Sequence, residues 1–183
     1  MAVIGDVTPG CCTPRAIRSG LLHRLLATRN QEMNFRIATR TDLPELGRVR
    51  MSVNENRLSD LSVLNPGDID RMLAGDGRGW VCEVHGRIVA FAMADLSGAN
   101  VYALFVDPGY ERQGIGRSLH NTMMDWFFGA GVPEVWLSTD PNTRAESFYR
   151  RAGWVANGTR SNREIRFTMS RERWLTSKWS RRT

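Results

Sequence analysis

Lysine is almost absent from this chain of 183 residues: Lys178 is the only one, so arginine carries nearly all of the positive charge. Cysteine is scarce as well. The three, Cys11, Cys12 and Cys82, have no metal-ligand spacing and make no disulfide framework, which points to a reducing cytosol and to no metal. No apolar run is long enough to span a bilayer, and no secretory signal is evident, because the apolar stretch near the start is broken by His23 and Arg24. Internal repeats and low-complexity segments are missing too. What is present is 42% hydrophobic content in a length that suits one globular domain with short appendages.

The net charge of +6 invites a nucleic-acid reading, and its distribution weakens that reading. Residues 1 to 32 hold four arginines against Asp6 and Glu32 (+2), and residues 171 to 183 hold five basic groups against Glu172 (+4). The stretch between them, 33 to 170, has 16 arginines and 16 carboxylates and is neutral. The ends read as an N-terminal extension, 1–32, and a solvated basic tail, 171–183, so neither nucleic acid nor membrane is expected as a partner. Ile17, Leu21, Leu22, Leu25 and Leu26 form a helical apolar stripe in the extension. It reads as a transit-like peptide, as a helix that packs on the domain or a partner, or as translation from a codon upstream of the native start; Met33, which opens MNFRIATRTDLPEL, favours the last.

From Phe35 onward the pattern alternates between strands and helices. The spacing predicts a strand over 35–39, a helix capped at Thr41 or Asp42 that runs to about Leu58, and a short helix near Asp68–Ala74 closed by Gly75. A strand pair, 80–85 and 87–95, turns at His85-Gly86, and a strand over 100–106 leads into a helix from about Ile115. A strand over 133–139, a helix over 143–152 and a last strand pair, 154–159 and 164–169, complete a mixed α/β sheet covered on both faces.

The most informative stretch is LFVDPGYERQGIGRSL, residues 104 to 119. A phosphate-binding P-loop is excluded, because Gly109 and Gly114 have the right separation but Ile115 stands where lysine must be. A dinucleotide fingerprint is excluded as well, because its third glycine is Leu119 here. What survives is the physics common to both. Gly114 and Gly116 sit at a helix N-terminus, where unpaired N–H groups and the helix dipole favour an anion, and Arg112 and Arg117 add charged donors. On these residues alone, a strand-to-helix turn with solvated arginines is the rival reading.

The same segment resembles motif A of the GCN5-related N-acetyltransferases, in which a strand ending in Val-Asp-Pro precedes a [Gln/Arg]-x-x-Gly-x-[Gly/Ala] loop. A second segment, TDPNTRAESFYRRAGW, resembles that family's later pattern at Asn142, Ala145, Tyr149, Gly153 and Trp154. Together the two place the resemblance over about residues 33 to 170. It implies a mostly antiparallel sheet of about six to seven strands with helices on both faces, and acetyl transfer from acetyl-CoA to a primary amine. One departure is that Glu111 occupies the Gln/Arg position of motif A; it is expected to turn to solvent and leave the amides and Arg112 to bind.

The resemblance also implies site residues. Main-chain groups of Leu104, Phe105 and Val106 would pair with pantetheine, and a backbone N–H near Val106 would polarise the thioester carbonyl. Arg112, Gln113, Gly114, Ile115, Gly116, Arg117 and Ser118 would hold the pyrophosphate, and Asn142 the pantetheine arm. Read from its residues alone, Asn142 is equally a turn residue after Asp140-Pro141. Tyr149 is implied as the acid that protonates the departing thiolate, where periodicity alone gives an aromatic packed beside Phe148. No general base is assigned: the 100–106 strand has no glutamate, and Glu83, His85 and Asp95 each have a surface or turn explanation, so ordered water is the default. His120 reads as structural.

For the acceptor, the segment VNENRLSDLSVLNPGD offers Asn54, Glu55 and Arg57, and Trp80 and Tyr102 are aromatic wall candidates. The expected partner is a small-molecule amine in the cytoplasm; the sequence leaves the oligomeric state open, a homodimer among the options. Acetylation of a protein lysine or N-terminus, and a non-catalytic CoA-binding or scaffold protein of the same fold, are the rival functions.

Overall fold

Every position from Ile88 to Ala94 is apolar, as a strand covered on both faces must be. In the computed structural model, which describes residues 32–53, 66–160 and 163–179, that run is the third strand of a seven-stranded sheet. The strands are β1 (Met33–Ile37), β2 (Gly77–Val84), β3 (Arg87–Asp95), β4 (Asn100–Val106), β5 (Glu134–Thr139), β6 (Val155–Thr159) and β7 (Ile165–Ser170). They lie in the order β1-β2-β3-β4-β5-β7-β6. Every neighbouring pair is antiparallel except β4 with β5.

Among the described residues five α-helices cover the sheet: α1 (Leu43–Ser52), α2 (Pro66–Arg71), α3 (Ile115–Gly129), α4 (Arg144–Arg151) and α5 (Arg171–Trp179). On one face Leu46 and Val49 of α1 and Ile69 of α2 meet Phe91 and Met93 of β3. On the other, Leu119, Met123 and Phe127 of α3 recur every fourth residue and pack on Ala90, Ala92 and Ala94. The alanines let that helix lie close to the strand. Phe91, Phe127 and Phe167 are fully buried, each worth about 1.5 to 3 kcal/mol of transfer free energy.

The expected elements form with ends displaced by a few residues, and two expectations need correction. The helix expected to reach Leu58 ends at Ser52, because Val53 is extended (φ −87°, ψ 127°) and the Ser52 hydroxyl turns back to donate to the Val49 carbonyl at 2.8 Å. The solvated tail expected from residue 171 is instead a docked helix over Arg171–Trp179. Its Trp174 is 1% exposed, donates from Nε1 to Asp125 Oδ1 at 3.0 Å, meets His120 edge-on and packs at a tilt against Phe128. One buried tryptophan outweighs the solvation of the charged residues around it, because an indole removes much apolar area from water at once. The N-terminal extension and the Ser161-Asn162 turn lie outside the described residues. Among the described residues no helix is long and apolar enough to cross a membrane, and no cluster of ligating side chains could hold a metal.

Candidate active site

Strands β4 and β5 pair at one position only, Asn100 with Trp136. Side chains tie that end shut: Asn100 Nδ2 donates to the Trp136 carbonyl at 3.1 Å, and Trp136 Nε1 donates to the Gly98 carbonyl at 2.9 Å. Beyond it the strands part. Main-chain groups of β4 that face away from β3 therefore meet a cleft rather than a strand, available to an extended ligand. A cavity of about 410 Å³ opens there, bounded by β4, the start of α3, β5 and α4. Residues of both faces of β4 line it, Leu104 and Val106 with Ala103 and Phe105, so the cleft passes through the sheet.

One end of the cavity is an anion cradle. After β4, the Asp107 carboxylate accepts from the Gly109 N–H at 3.1 Å and from Arg48 Nη1 of α1 at 3.3 Å, which ties the turn to the opposite face. Arg112 (φ 59°) and the helix-capping Gly114 (φ 85°) both take left-handed backbone conformations. The α3 N-terminus is thus presented to the cleft without a side-chain cap. A Cβ on Gly116 would meet only Val106 Cγ2, at 3.4 Å, so the space over this first turn is open for a ligand. Arg112, Arg117, Arg144 and Arg151 line the same region against one carboxylate, Glu111.

Glu111 does not turn to solvent as expected. Both of its carboxylate oxygens receive Arg144 guanidinium nitrogens, Nη2 to Oε1 at 2.9 Å and Nη1 to Oε2, and only 23% of its side chain is exposed. The repulsion expected of an acid in this loop is met by a cation from α4.

Leu104, Phe105 and Val106 line the cavity, and so do Arg112, Gly114, Ile115, Gly116 and Arg117 of the loop. Gln113 and Ser118 are exposed and lie outside the lining; the Ser118 N–H closes the first turn of α3 on the Gly114 carbonyl. Asn142 is also outside it. It holds a left-handed turn (φ 62°), and its N–H donates to Glu146 Oε2 at 2.6 Å, which is the turn role its sequence context allowed. Trp80 is a correction: it is 7% exposed and packed edge-on against Trp126 of α3, at 5.5 Å between centroids, so it belongs to the core and not to an acceptor wall. Tyr102 lines the cavity, whereas Asn54, Glu55 and Arg57 lie outside the described residues.

Tyr149 lines the cavity and is also buried in an aromatic cluster, with Phe148 at 5.3 Å and Trp154 at 5.6 Å. Packing and access to the cleft are both present, so the two sequence readings do not exclude each other. Burial pushes its phenol well above the usual value near 10, which keeps it protonated. His120 is 1% exposed and accepts from Trp154 Nε1 at 3.0 Å through Nε2, a structural role. Of the three weighed base positions, Glu83 is bound by Arg36 and Asp95 by Arg71, while His85 is an exposed turn residue at φ 52°.

Several lining residues carried no signal in the sequence. Arg144 and Arg151 look like ordinary charges on an exposed helix, and Ser138 is a polar residue in a short strand. Arg144 stands within the Asn142 to Tyr149 pattern, and its partnership with Glu111 across 33 residues is visible only in three dimensions.

The family model for the acetyltransferase (GNAT) family matches residues 45–154, more than half of the chain. Among curated relatives, the chain is 33% identical over 81 residues to the ribosomal protein bS18-alanine N-acetyltransferase of Escherichia coli, covering 43% of this chain and 55% of that one. It is 31% identical over 86 residues to an uncharacterised N-acetyltransferase of Methanocaldococcus jannaschii, covering 41% of this chain and 38% of the other. The matched part therefore spans about half or less of these relatives. Among solved structures, the PaiA N-acetyltransferase of Thermoplasma acidophilum in complex with coenzyme A superposes with a TM-score of 0.65 at 14% identity, over 76% of this chain and 99% of that one. The parted strands, the glycine-bearing helix start and the matched family model together place the chain in the GNAT acetyltransferase family.

Proposed function

We propose that this chain is an acetyl-CoA-dependent N-acetyltransferase that acetylates the primary amine of a small molecule. The observation that carries this reading is the cleft through the sheet, with an arginine-rich helix N-terminus at one end and a buried tyrosine on its wall. Arg112, Arg117 and the N–H groups of the first turn of α3 hold the diphosphate, and main-chain groups of Leu104 to Val106 pair with the pantetheine amides. Acetyl-CoA supplies an activated acyl carbon when bound. A β4 N–H near Val106 polarises the carbonyl, and the neutral phenol of Tyr149 protonates the departing thiolate.

The test is a thermal-shift titration of the full chain with acetyl-CoA, with dephospho-CoA and NAD as controls, followed by CoA release from an amine panel. Ligand at about 100 times its Kd adds roughly 2.7 kcal/mol, read as several degrees in melting temperature. No shift in a folded protein would remove the reading and leave the scaffold alternative.

A second reading, acetylation of a protein N-terminus, is favoured by the Escherichia coli relative that acts on a ribosomal-protein alanine. Turnover of an alanine-initiated peptide far above that of spermidine and free amino acids would select it.

A further inference from the structure

An acetyl-transfer site needs somewhere for the amine proton to go, and the described lining holds one carboxylate, Glu111, which is clamped by Arg144 at the phosphate end. The opposite face of the cleft carries a different arrangement. Along β5, Leu137 and Thr139 are 2% exposed and Leu137 points into the core shared with Tyr149, so by strand alternation Ser138 points the other way. Ser138 lines the cavity, and its hydroxyl donates to Glu164 Oε2 at 2.5 Å. Glu164 is outside the lining itself and is fixed by its backbone. It immediately precedes β7, whose Ile165 is in register with Thr139 of β5, and its carbonyl accepts from the Arg160 N–H at 2.8 Å.

We propose that Ser138 and Glu164 form the proton relay for the acceptor amine, with Ser138 as the group that touches the amine and Glu164 as the residue that accepts the proton through it. This rests on the acetyltransferase reading above. The attacking amine and the departing sulfur occupy different positions around the acyl carbon, so the proton acceptor and the proton donor belong on different walls. Tyr149 belongs to the α3/α4 side of the sheet, and Ser138 faces away from it.

The ammonium gives one proton to Ser138 Oγ as the Ser138 proton passes to Glu164, and that proton later leaves Glu164 for solvent. The neutral amine then attacks, forming the C–N bond; the C–S bond breaks, and Tyr149 protonates the thiolate. The proton still on the new amide nitrogen leaves by the same Ser138–Glu164 route to solvent, and the Tyr149 phenolate regains its proton from solvent. Arg160 and Arg166 lie over the Trp136 ring at 5.3 and 4.5 Å, Arg166 in register with Ser138, and Arg163 adjoins Glu164 in the chain.

The experiment compares wild type, Ser138→Ala, Glu164→Gln and Glu164→Asp as full chains, with acetyl-CoA and either an alanine-initiated peptide or spermidine as amine. At about pH 7, Ser138→Ala and Glu164→Gln should each lower kcat by about 10² or more while acetyl-CoA affinity stays within about twofold. For the peptide, the deficit should shrink toward about pH 9.5, where an α-amino group of pKa about 8 is already neutral in solution. Glu164→Asp should recover part of the loss. An unchanged kcat, or a loss of the same size at every pH, would overturn the relay and leave the acetyltransferase reading intact. If instead wild type releases no CoA with either amine, the parent reading fails and the relay falls with it.

Discussion

Glu111 and Arg144 meet face to face across the mouth of the cleft, one from the loop that precedes α3 and the other from the first position of α4. The Arg144 side chain is 62% exposed, so the pair adds little to folding stability. Its effect is on the site, where it neutralises an acid that would otherwise repel a diphosphate. Glu111→Gln should therefore release Arg144 toward the ligand and tighten acetyl-CoA binding severalfold. Arg144→Ala should uncover the carboxylate and weaken binding by about tenfold, equivalent to ~1.4 kcal/mol. Calorimetric titration at low and high salt reads both, with the larger separation at low salt. Weaker binding by Glu111→Gln would show that the carboxylate positions the loop rather than opposing the ligand.

Tyr149→Phe isolates the phenol from the ring. The aromatic contacts to Phe148, Trp154 and Phe167 survive the change, so the fold should be retained. As the acid, Tyr149 should account for about 10² in kcat with little change in acetyl-CoA affinity. Its raised pKa has a further consequence with a definite sign. A group whose pKa is higher in the fold stabilises fully below its unfolded value of about 10 and loses that contribution as pH rises above it. Tyr149→Phe should thus resist alkaline unfolding better than wild type, measured by circular dichroism above about pH 10. Unchanged turnover would remove Tyr149 from the chemistry and leave it a core aromatic.

The anion loop was legible in the sequence because its chemistry is local: a strand end, a turn and two glycines at a helix start need no distant partner to be recognised. Trp80 was misread for the opposite reason. An aromatic on a strand beside the site can face the cleft or the core, and only Trp126, 46 positions later on α3, decides it. Ser138 and Glu164 meet because β5 and β7 are neighbours, a pairing that strand order alone does not specify. The α5 helix was missed because eight of its nine positions are polar or aromatic without a stripe, and the buried Trp174 holds it.

Two glycines should respond to alanine with opposite signs. A Cβ on Gly77, at the start of β2, would stand 2.1 Å from the Ala94 carbonyl oxygen and 2.9 Å from Met72 Cβ, where backbone and core would both have to move. Gly77→Ala should cost at least about 3 kcal/mol. Gly47, inside α1, has nothing within 4 Å of the same atom, so Gly47→Ala should stabilise by roughly 0.5 to 1 kcal/mol through the lower entropy of the unfolded chain. Urea denaturation reads both. A neutral Gly77→Ala would mean that β2 can shift against β3 at that end.

An acid-sensitive contact joins β1 to the entry of α1. Arg36 grips Asp42 with both terminal nitrogens, at 2.7 and 2.8 Å, and the Thr39 N–H donates to the same carboxylate at 2.7 Å. These bonds, the Arg36 pair first, hold the buried Asp42 carboxyl at about 2, below its ordinary 3.8. Because the folded value is the lower one, the contribution is complete above about pH 4 and is lost as pH falls through about 2. It is worth about 2 kcal/mol, so Asp42→Asn should lower the melting temperature at neutral pH by about 4 to 8 °C and flatten the acid limb of the stability curve. Scanning calorimetry of both proteins from about pH 7 to about pH 2 tests this, since wild type should approach the variant as the acid titrates. Parallel curves across the whole range would show that Asp42 is held by shape and not by its charge.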